Sequence, residues 1–475
     1  MEFALDASYD AVVVGAGPNG LAGAIALQRA GQRTLLLEAK STVGGGMRTA
    51  ELTLPGFHHD VCSAIHPLGI GSPFFRTLPL HDFGLEWIDP PVLAAHPFDD
   101  GTAAILLTSL ADTAATLGAD RDVYTKIFTR LTESWESIAP DILGPSLHWP
   151  QHPVAVARFG RQALKSAEIF ARNFSGRDTR ALFAGMAAHG MQPLRAAATA
   201  AAGLVLMIAG HRHGWPVARG GSQSIANALA AYFVSLGGTI ETSAEVKRLT
   251  DLPATRITLL DIGPHQLLQM SDLPNGYRKQ MQRFTYGPGA FKIDWALDGP
   301  APFLSEHCRR AGTVHLGGTY EEVAFAEAEV AAGRHPAKPF VLFAQQSLFD
   351  ATRAPAGQHT AWAYCHVPNG STVDMTFAIE AQVEHYAPGF RDRILARHTI
   401  DTAAFQAYNA NYIGGDINGG ALTLRQIVAR PSLQISPYRT PLKGTYLCSA
   451  STPPGGGVHG MCGYNAAQRA LADRL

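Results

Sequence analysis

The sequence predicts an α/β protein: a Rossmann-like dinucleotide-binding domain in discontinuous segments, with an inserted α+β substrate domain. The substrate domain is expected to hold a helical part and a mixed or antiparallel sheet. Two glycine-rich loops and the spacing of apolar runs between them carry this reading. The first loop, Gly15-Ala16-Gly17-Pro18-Asn19-Gly20, follows the apolar run Val12-Val13-Val14 and opens a helical stretch reaching Gly31. The second, Gly455-Gly456-Gly457-Val458-His459-Gly460, opens the helical segment that includes Tyr464.

The chemistry of the first loop is specific. Gly15 permits a tight turn after a strand, Gly17 lets the backbone approach a pyrophosphate, and Gly20 lets helix and sheet pack closely. The helix start adds free N–H groups and positive potential. Glu38, with Ala39 after it, ends the next apolar run, Thr34–Leu37, where a carboxylate can accept from ribose hydroxyls and disfavours a 2′-phosphate. The glycine cluster Gly44-Gly45-Gly46, followed by Met47 and Arg48, lets the chain run along the pyrophosphate. With the C-terminal loop, it points to FAD as the cofactor.

The motif Pro55-Gly56-Phe57-His58-His59-Asp60, then Cys62-Ser63-Ala64 and Trp215 to Ser222, extends the pattern. So do Tyr286-Gly287-Pro288-Gly289, Phe291 to Trp295, Asn411 to Asp416 and Leu447 to Thr452. Through these residues nearly the whole chain resembles the phytoene desaturase-like branch of FAD-dependent oxidoreductases. One position departs from the carotenoid desaturases, which usually carry an arginine where this chain has Gly46. The resemblance implies that Val246, Ser449 and Ser451 join the two loops, His459 included, around the flavin. It places the C-terminal helix start beside the flavin ring, where N–H groups would stabilise negative charge as N5 accepts a hydride. It also implies oxidation or reduction of carbon–carbon bonds in an apolar small molecule; the electron acceptor is left open between oxygen, a quinone and another acceptor.

Four side chains are candidates for acid, base or positioning roles: His59, Lys292, His459 and Tyr464. Lys292 and Asp294 share one face of the expected strand Phe291–Leu297, either lining the cavity or forming an internal ion pair. An amine or alcohol oxidase on a smaller substrate, and a flavin-bound regulatory protein, stand as alternatives. An amine oxidase needs an aromatic cage or a carboxylate facing the ring.

Composition narrows the classes. The 475 residues carry a formal net charge of −1 and only 16% charged residues, which gives no electrostatic reason to expect nucleic acid. The five cysteines form no Cys-x-x-Cys pair, which argues against a redox disulfide, and the histidines show no metal-ligand spacing. No second dinucleotide loop has strand–helix context, so no built-in NADPH site is expected. The apolar run Ala196–Gly210 is fifteen residues, short of the roughly twenty that span a bilayer. It is expected to be a core helix, with a tunnel wall or peripheral membrane contact as the other readings. The acidic leader before Asp10 leaves no room for a targeting peptide, so a cytoplasmic protein is expected.

The expected organisation is a nucleotide domain from 1–75, 215–284 and 426–475, and a substrate domain from 76–214 and 285–425. Helical spacing marks 111–117, 124–138 and 154–174, an alanine-rich helix from 222 to 236, and helices over 379–387 and 391–397. Strands are expected at 239–242, 246–249, 257–261, 291–297, 313–316, 340–346 and 360–366.

Overall fold

The computed structural model describes residues 9–473; the acidic leader lies outside them. A five-stranded parallel sheet gathers segments distant in sequence. Its order is Thr445–Leu447, Ile257–Leu260, Ala11–Val14, Thr34–Leu37 and Thr239–Glu241. The central strands are continuous apolar runs because helices cover both faces of such a sheet. The helix Pro18–Arg29 starts at Gly17 with proline at its first position, where a missing N–H costs nothing. It stops where Gly31 takes a left-handed φ of 77°, the usual conformation after a helix end.

The last helix, Met461–Ala472, lies against Pro18–Arg29, and glycines make that approach possible. A Cβ on Gly463 would sit 1.7 Å from the Asn19 carbonyl oxygen. The two chain ends are thereby locked together beside the phosphate-type loop.

A second, seven-stranded sheet runs in the order Ile394–Ile400, Gly289–Leu297, His359–Val367, Val341–Ala344, Ala311–Leu316, Val92–Pro97, Ala103–Leu106. All its pairs are antiparallel except Ala311–Leu316 with Val92–Pro97. The helices Arg121–Ile142, Arg177–Ala188 and Ala200–His213 bury Tyr124, Phe128, Trp135, Phe183 and Leu204 in one core, which also takes in Leu342 and Phe340 from that sheet. The apolar run expected as a core helix is thus the helix Ala200–His213, buried along one side.

Three expectations are corrected. Residues 391–397 form no long helix: a single turn, Arg391–Arg393, leads into the edge strand Ile394–Ile400. Its residues alternate between half-buried and exposed, the two-residue period of a strand with one face in water. The stretch 154–174 is two helices, Pro153–Ala163 and Ala167–Ala171; Ser166 caps the second by accepting from the Ile169 N–H and so ends the first run. Residues 246–249 are not a strand; Leu249–Asp251 form a single helical turn instead.

Candidate active site

The site is built at the carboxyl ends of the parallel strands, where open α/β sheets place their ligands. Gly15 leaves its strand with a φ of 97°, and Gly17 is extended at the helix cap. The glycine cluster crosses directly over this loop. A Cβ on Gly45 would stand 2.9 Å from the Gly17 Cα, so Gly45 needs a bare backbone, and a Cβ on Gly17 would come to 3.0 Å from Asp261 Oδ2. Glu38 is tied into the same loop: Oε2 accepts from the Ala16 N–H at 2.9 Å, and Oε1 accepts from Arg48 Nη2 at 3.1 Å. On the third strand end, Asp261 Oδ2 accepts from the Gly20 N–H at 3.0 Å. Burial, with the Glu38 carboxylate adding to it, pushes Asp261 up to about 7.

A cavity of about 660 Å³ starts at these strand ends. Gly45, Gly46, Gly457 and Val458 line it, as do Leu206 of the helix Ala200–His213, Trp215 just after that helix, and Leu342, Trp362 and Tyr364 of the second sheet. Three carboxylates border it, Glu38, Glu245 and Asp261, all at or just beyond strand ends of the parallel sheet. Among the lining residues Ile65, Leu206, Trp215, Leu342 and Trp362 there is no acid; the titratable lining residues on these segments and beside them are Cys62, His66, His189 and Tyr364.

These residues fit a dinucleotide cofactor. Gly15 and Gly17 leave a cradle that a side chain would fill, and Asn19, 3% exposed beside it, has an Oδ1 atom with no partner. A buried polar atom without a partner calls for a group that the protein itself does not supply.

Of the residues expected around the cofactor, Gly15, Gly17, Pro18, Asn19, Glu38, Ala39, Gly45, Gly46 and Arg48 border the cavity, as do Val246, Ser449, Ser451, Gly457 and Val458. Gly20, Gly44, Met47, Gly456 and His459 lie behind that surface. Gly20 serves packing, since its Cβ would fall 1.8 Å from the Gly15 carbonyl oxygen, and Met47 is fully buried in the nucleotide-side core.

None of the four candidate acid–base side chains is among the lining residues. Lys292 Nζ sits 2.5 Å from both Asp294 carboxylate oxygens in a buried ion pair. His59 Nε2 bonds Thr53 Oγ1 at 2.8 Å while its Nδ1 lies 3.6 Å from Asp294, and burial holds it down to about 4. His459 uses Nδ1 to accept from the Met461 N–H, so it braces the turn into the last helix. The Tyr464 ring stacks on Phe74 at 4.5 Å between centroids.

The structure adds Asp261, His66, His189 and the Trp362–Tyr364 pair to the cavity wall. Asp261 carried a readable signal, as the polar residue ending the third strand of the parallel sheet. His66 follows the Cys62-Ser63-Ala64 motif closely, but nothing local marks it as a wall residue.

Fold and cavity together define a class: the protein is an FAD-dependent oxidoreductase. The chain belongs to the family described as flavin containing amine oxidoreductase, whose profile it matches over residues 19–266. It is similar to pyridine nucleotide-disulfide oxidoreductase domain-containing protein 2 of Rattus norvegicus, at 25% identity over 99% of this chain and 94% of that protein. It is also similar to hydroxyneurosporene desaturase of Rhodobacter capsulatus, at 26% identity over 98% of both chains. Among solved structures, an oxidoreductase from Methanosarcina mazei shares the fold, with a TM-score of 0.64 and 16% identity over 97% of this chain and 99% of that one. Among the described residues, no helix is long and apolar enough to cross a membrane.

Proposed function

We propose that the protein oxidises a carbon–carbon single bond of an apolar small molecule held at the inner end of the cavity. In this reading Glu38 takes the ribose hydroxyls, Gly15, Gly17 and Asn19 take the pyrophosphate, and Gly457 and Val458 lie along the flavin ring. The bound flavin supplies the two-electron acceptor. Segments 1–75, 215–284 and 426–475 act as the nucleotide-holding unit, and 76–214 with 285–425 as the substrate-holding unit.

The observation that carries the substrate class is the acid-free inner lining: Ile65, Leu206, Trp215, Leu342, Trp362 and Tyr364 offer an apolar, aromatic surface with two neutral imidazoles. An ammonium-bearing substrate would leave its charge there unpaired, at a cost of several kcal/mol (roughly) in a buried site. The rings of Trp362 and Tyr364 stack on each other at 5.6 Å and 21°, making one continuous wall rather than two facing plates of an amine cage. The similarity to hydroxyneurosporene desaturase agrees with an apolar substrate.

The test is anaerobic bleaching of the flavin by a panel of isoprenoid hydrocarbons and isoprenoid alcohols against benzylamine and putrescine. Members of the apolar set are expected to bleach it, and the amines to leave it oxidised. Bleaching by an amine alone would replace this reading with that of an amine oxidase.

A further inference from the structure

The second sheet turns one row of side chains towards the cavity. Tyr364 lies opposite Leu342, and Leu342 opposite His315, on successive strands. Directly opposite residues of an antiparallel pair share a face, so all three stand on one side of the sheet. Thr313, two residues before His315, stands there too. Tyr364, Leu342 and Thr313 line the cavity, whereas His315 is fully buried. His189 takes its place on the wall, with Nε2 3.0 Å from His315 Nε2.

His189 caps the end of the helix Arg177–Ala188. It is half-buried, yet burial holds its ring down to about 3. A ring so deep in the protein owes its open surface to the cavity it lines. Nε2 is turned to His315, and Nδ1 has no hydrogen bond among the described residues. The two Nδ1 atoms differ in access: that of His315 is sealed inside the protein without a partner, and that of His189 is not sealed.

The hydrogen bond between the rings fixes which nitrogen of His189 carries its hydrogen. Both rings are neutral near pH 7, His315 held far down by burial first and then by the neighbouring His189 and His96. One neutral ring donates and the other accepts. Were His189 the donor, His315 would carry its own hydrogen on the sealed Nδ1. No acceptor stands there, and the Gly185 backbone packs against it: a Cβ on Gly185 would stand 2.5 Å away. Buried N–H groups are rarely left without an acceptor, unpaired acceptors less so. His315 therefore donates from Nε2, and His189 keeps its single hydrogen on Nδ1.

We propose that His189 sets the specificity of this end of the cavity, its Nδ1–H donating to an oxygen acceptor on an otherwise apolar substrate. This rests on the oxidation of an apolar molecule proposed above and narrows it. A pure hydrocarbon leaves the N–H unpaired in a dry site, while a carbonyl, ether or hydroxyl oxygen satisfies it.

The test uses the FAD-bound protein with acetophenone, ethylbenzene and indole, their affinities measured by equilibrium dialysis. The first probe carries one oxygen acceptor, the second no polar atom, and the third one N–H donor. Acetophenone is expected to bind His189→Phe about tenfold more weakly than wild type, the loss for one buried hydrogen bond. Ethylbenzene and indole should bind both proteins alike. With acetophenone 13C-labelled at its carbonyl, the infrared stretch bound to wild type should lie below its value in toluene. A stretch at the toluene value would overturn the proposal, and this reading needs no variant to fold. So would equal acetophenone affinity in the two proteins, or a loss confined to indole, which would mean a bare Nδ1. A protein that bonds the carbonyl at His189 yet is bleached only by amines keeps this assignment and loses the oxidation reading. One bleached by isoprenoid hydrocarbons that leaves the carbonyl unbonded does the reverse.

Discussion

Acidification from about pH 7 to about pH 5 is expected to unfold the protein, because its buried histidines must stay neutral to remain buried. His66, His96, His211 and His459 are each held down to about 4, and His189 to about 3, with burial the leading cause in every case. In the unfolded chain each returns to about 6.5. Between these values the unfolded state binds more protons, so stability is complete above the unfolded value and falls as the pH drops towards the folded one. Each group contributes a loss of about 1.4 kcal/mol per pH unit once it titrates. Several acting together lose an amount that falls within the roughly 5–15 kcal/mol that holds a domain folded.

Asp261 works in the opposite sense. Pushed up to about 7, it is protonated in the folded state first, and its contribution grows as the pH falls below 7; it offsets one histidine. Asp60 and Asp294 are held low, chiefly by Arg353 and Lys292 against the cost of their burial, so their contributions persist through this window and are lost only at lower pH. The check is the urea midpoint measured from neutral to mildly acid pH. A steep fall is expected, and a level midpoint would show that these histidines are not buried as described.

Gly463→Val is expected to remove both the folded state and bound flavin. The contact it destroys is backbone on backbone: a Cβ at 463 meets the Asn19 carbonyl oxygen at 1.7 Å and the Gly23 nitrogen at 2.9 Å. Overpacking of side chains in a core costs about 1–3 kcal/mol because neighbours can shift. Here two helices would have to part, and with them the loop that Gly15, Gly17 and Gly20 shape. Gly160→Ala is the matched control. Gly160 lies within the helix Pro153–Ala163 with nothing near its missing Cβ, so alanine there should be neutral or stabilising by about 0.5–1 kcal/mol. Expression, flavin content and thermal midpoint of the two variants give the comparison. A yellow, stable Gly463→Val protein would mean that the two chain ends do not pack this way.

The parallel sheet and its cofactor loops were legible because their signals are local: a strand, three spaced glycines, a helix and an acid lie within about thirty residues. The second sheet was legible strand by strand, but not at its edge. Ile394–Ile400 mixes an arginine, a histidine and a threonine with two isoleucines, a leucine and an alanine, and its partner Gly289–Leu297 lies about a hundred residues earlier in the chain. Only that pairing turns the alternation into a strand. The cavity wall was hidden for the same reason. His59 and His66 stand seven positions apart in one loop region, yet the first is held between Thr53 and Asp294 and the second borders the cavity. What distinguishes His66 is a hydroxyl 156 positions away in sequence, at Ser222. Lys292 shows the converse: strand alternation placed it beside Asp294, and the structure makes the pair an internal ion pair.

The central claim is that one FAD occupies the cavity running from Glu38 to Val458. An absorbance spectrum of the freshly purified protein, with the flavin released by denaturation and counted against protein, tests it most directly. Flavin bands at one FAD per chain are the expected result. A colourless protein that takes up no added FAD would contradict the account.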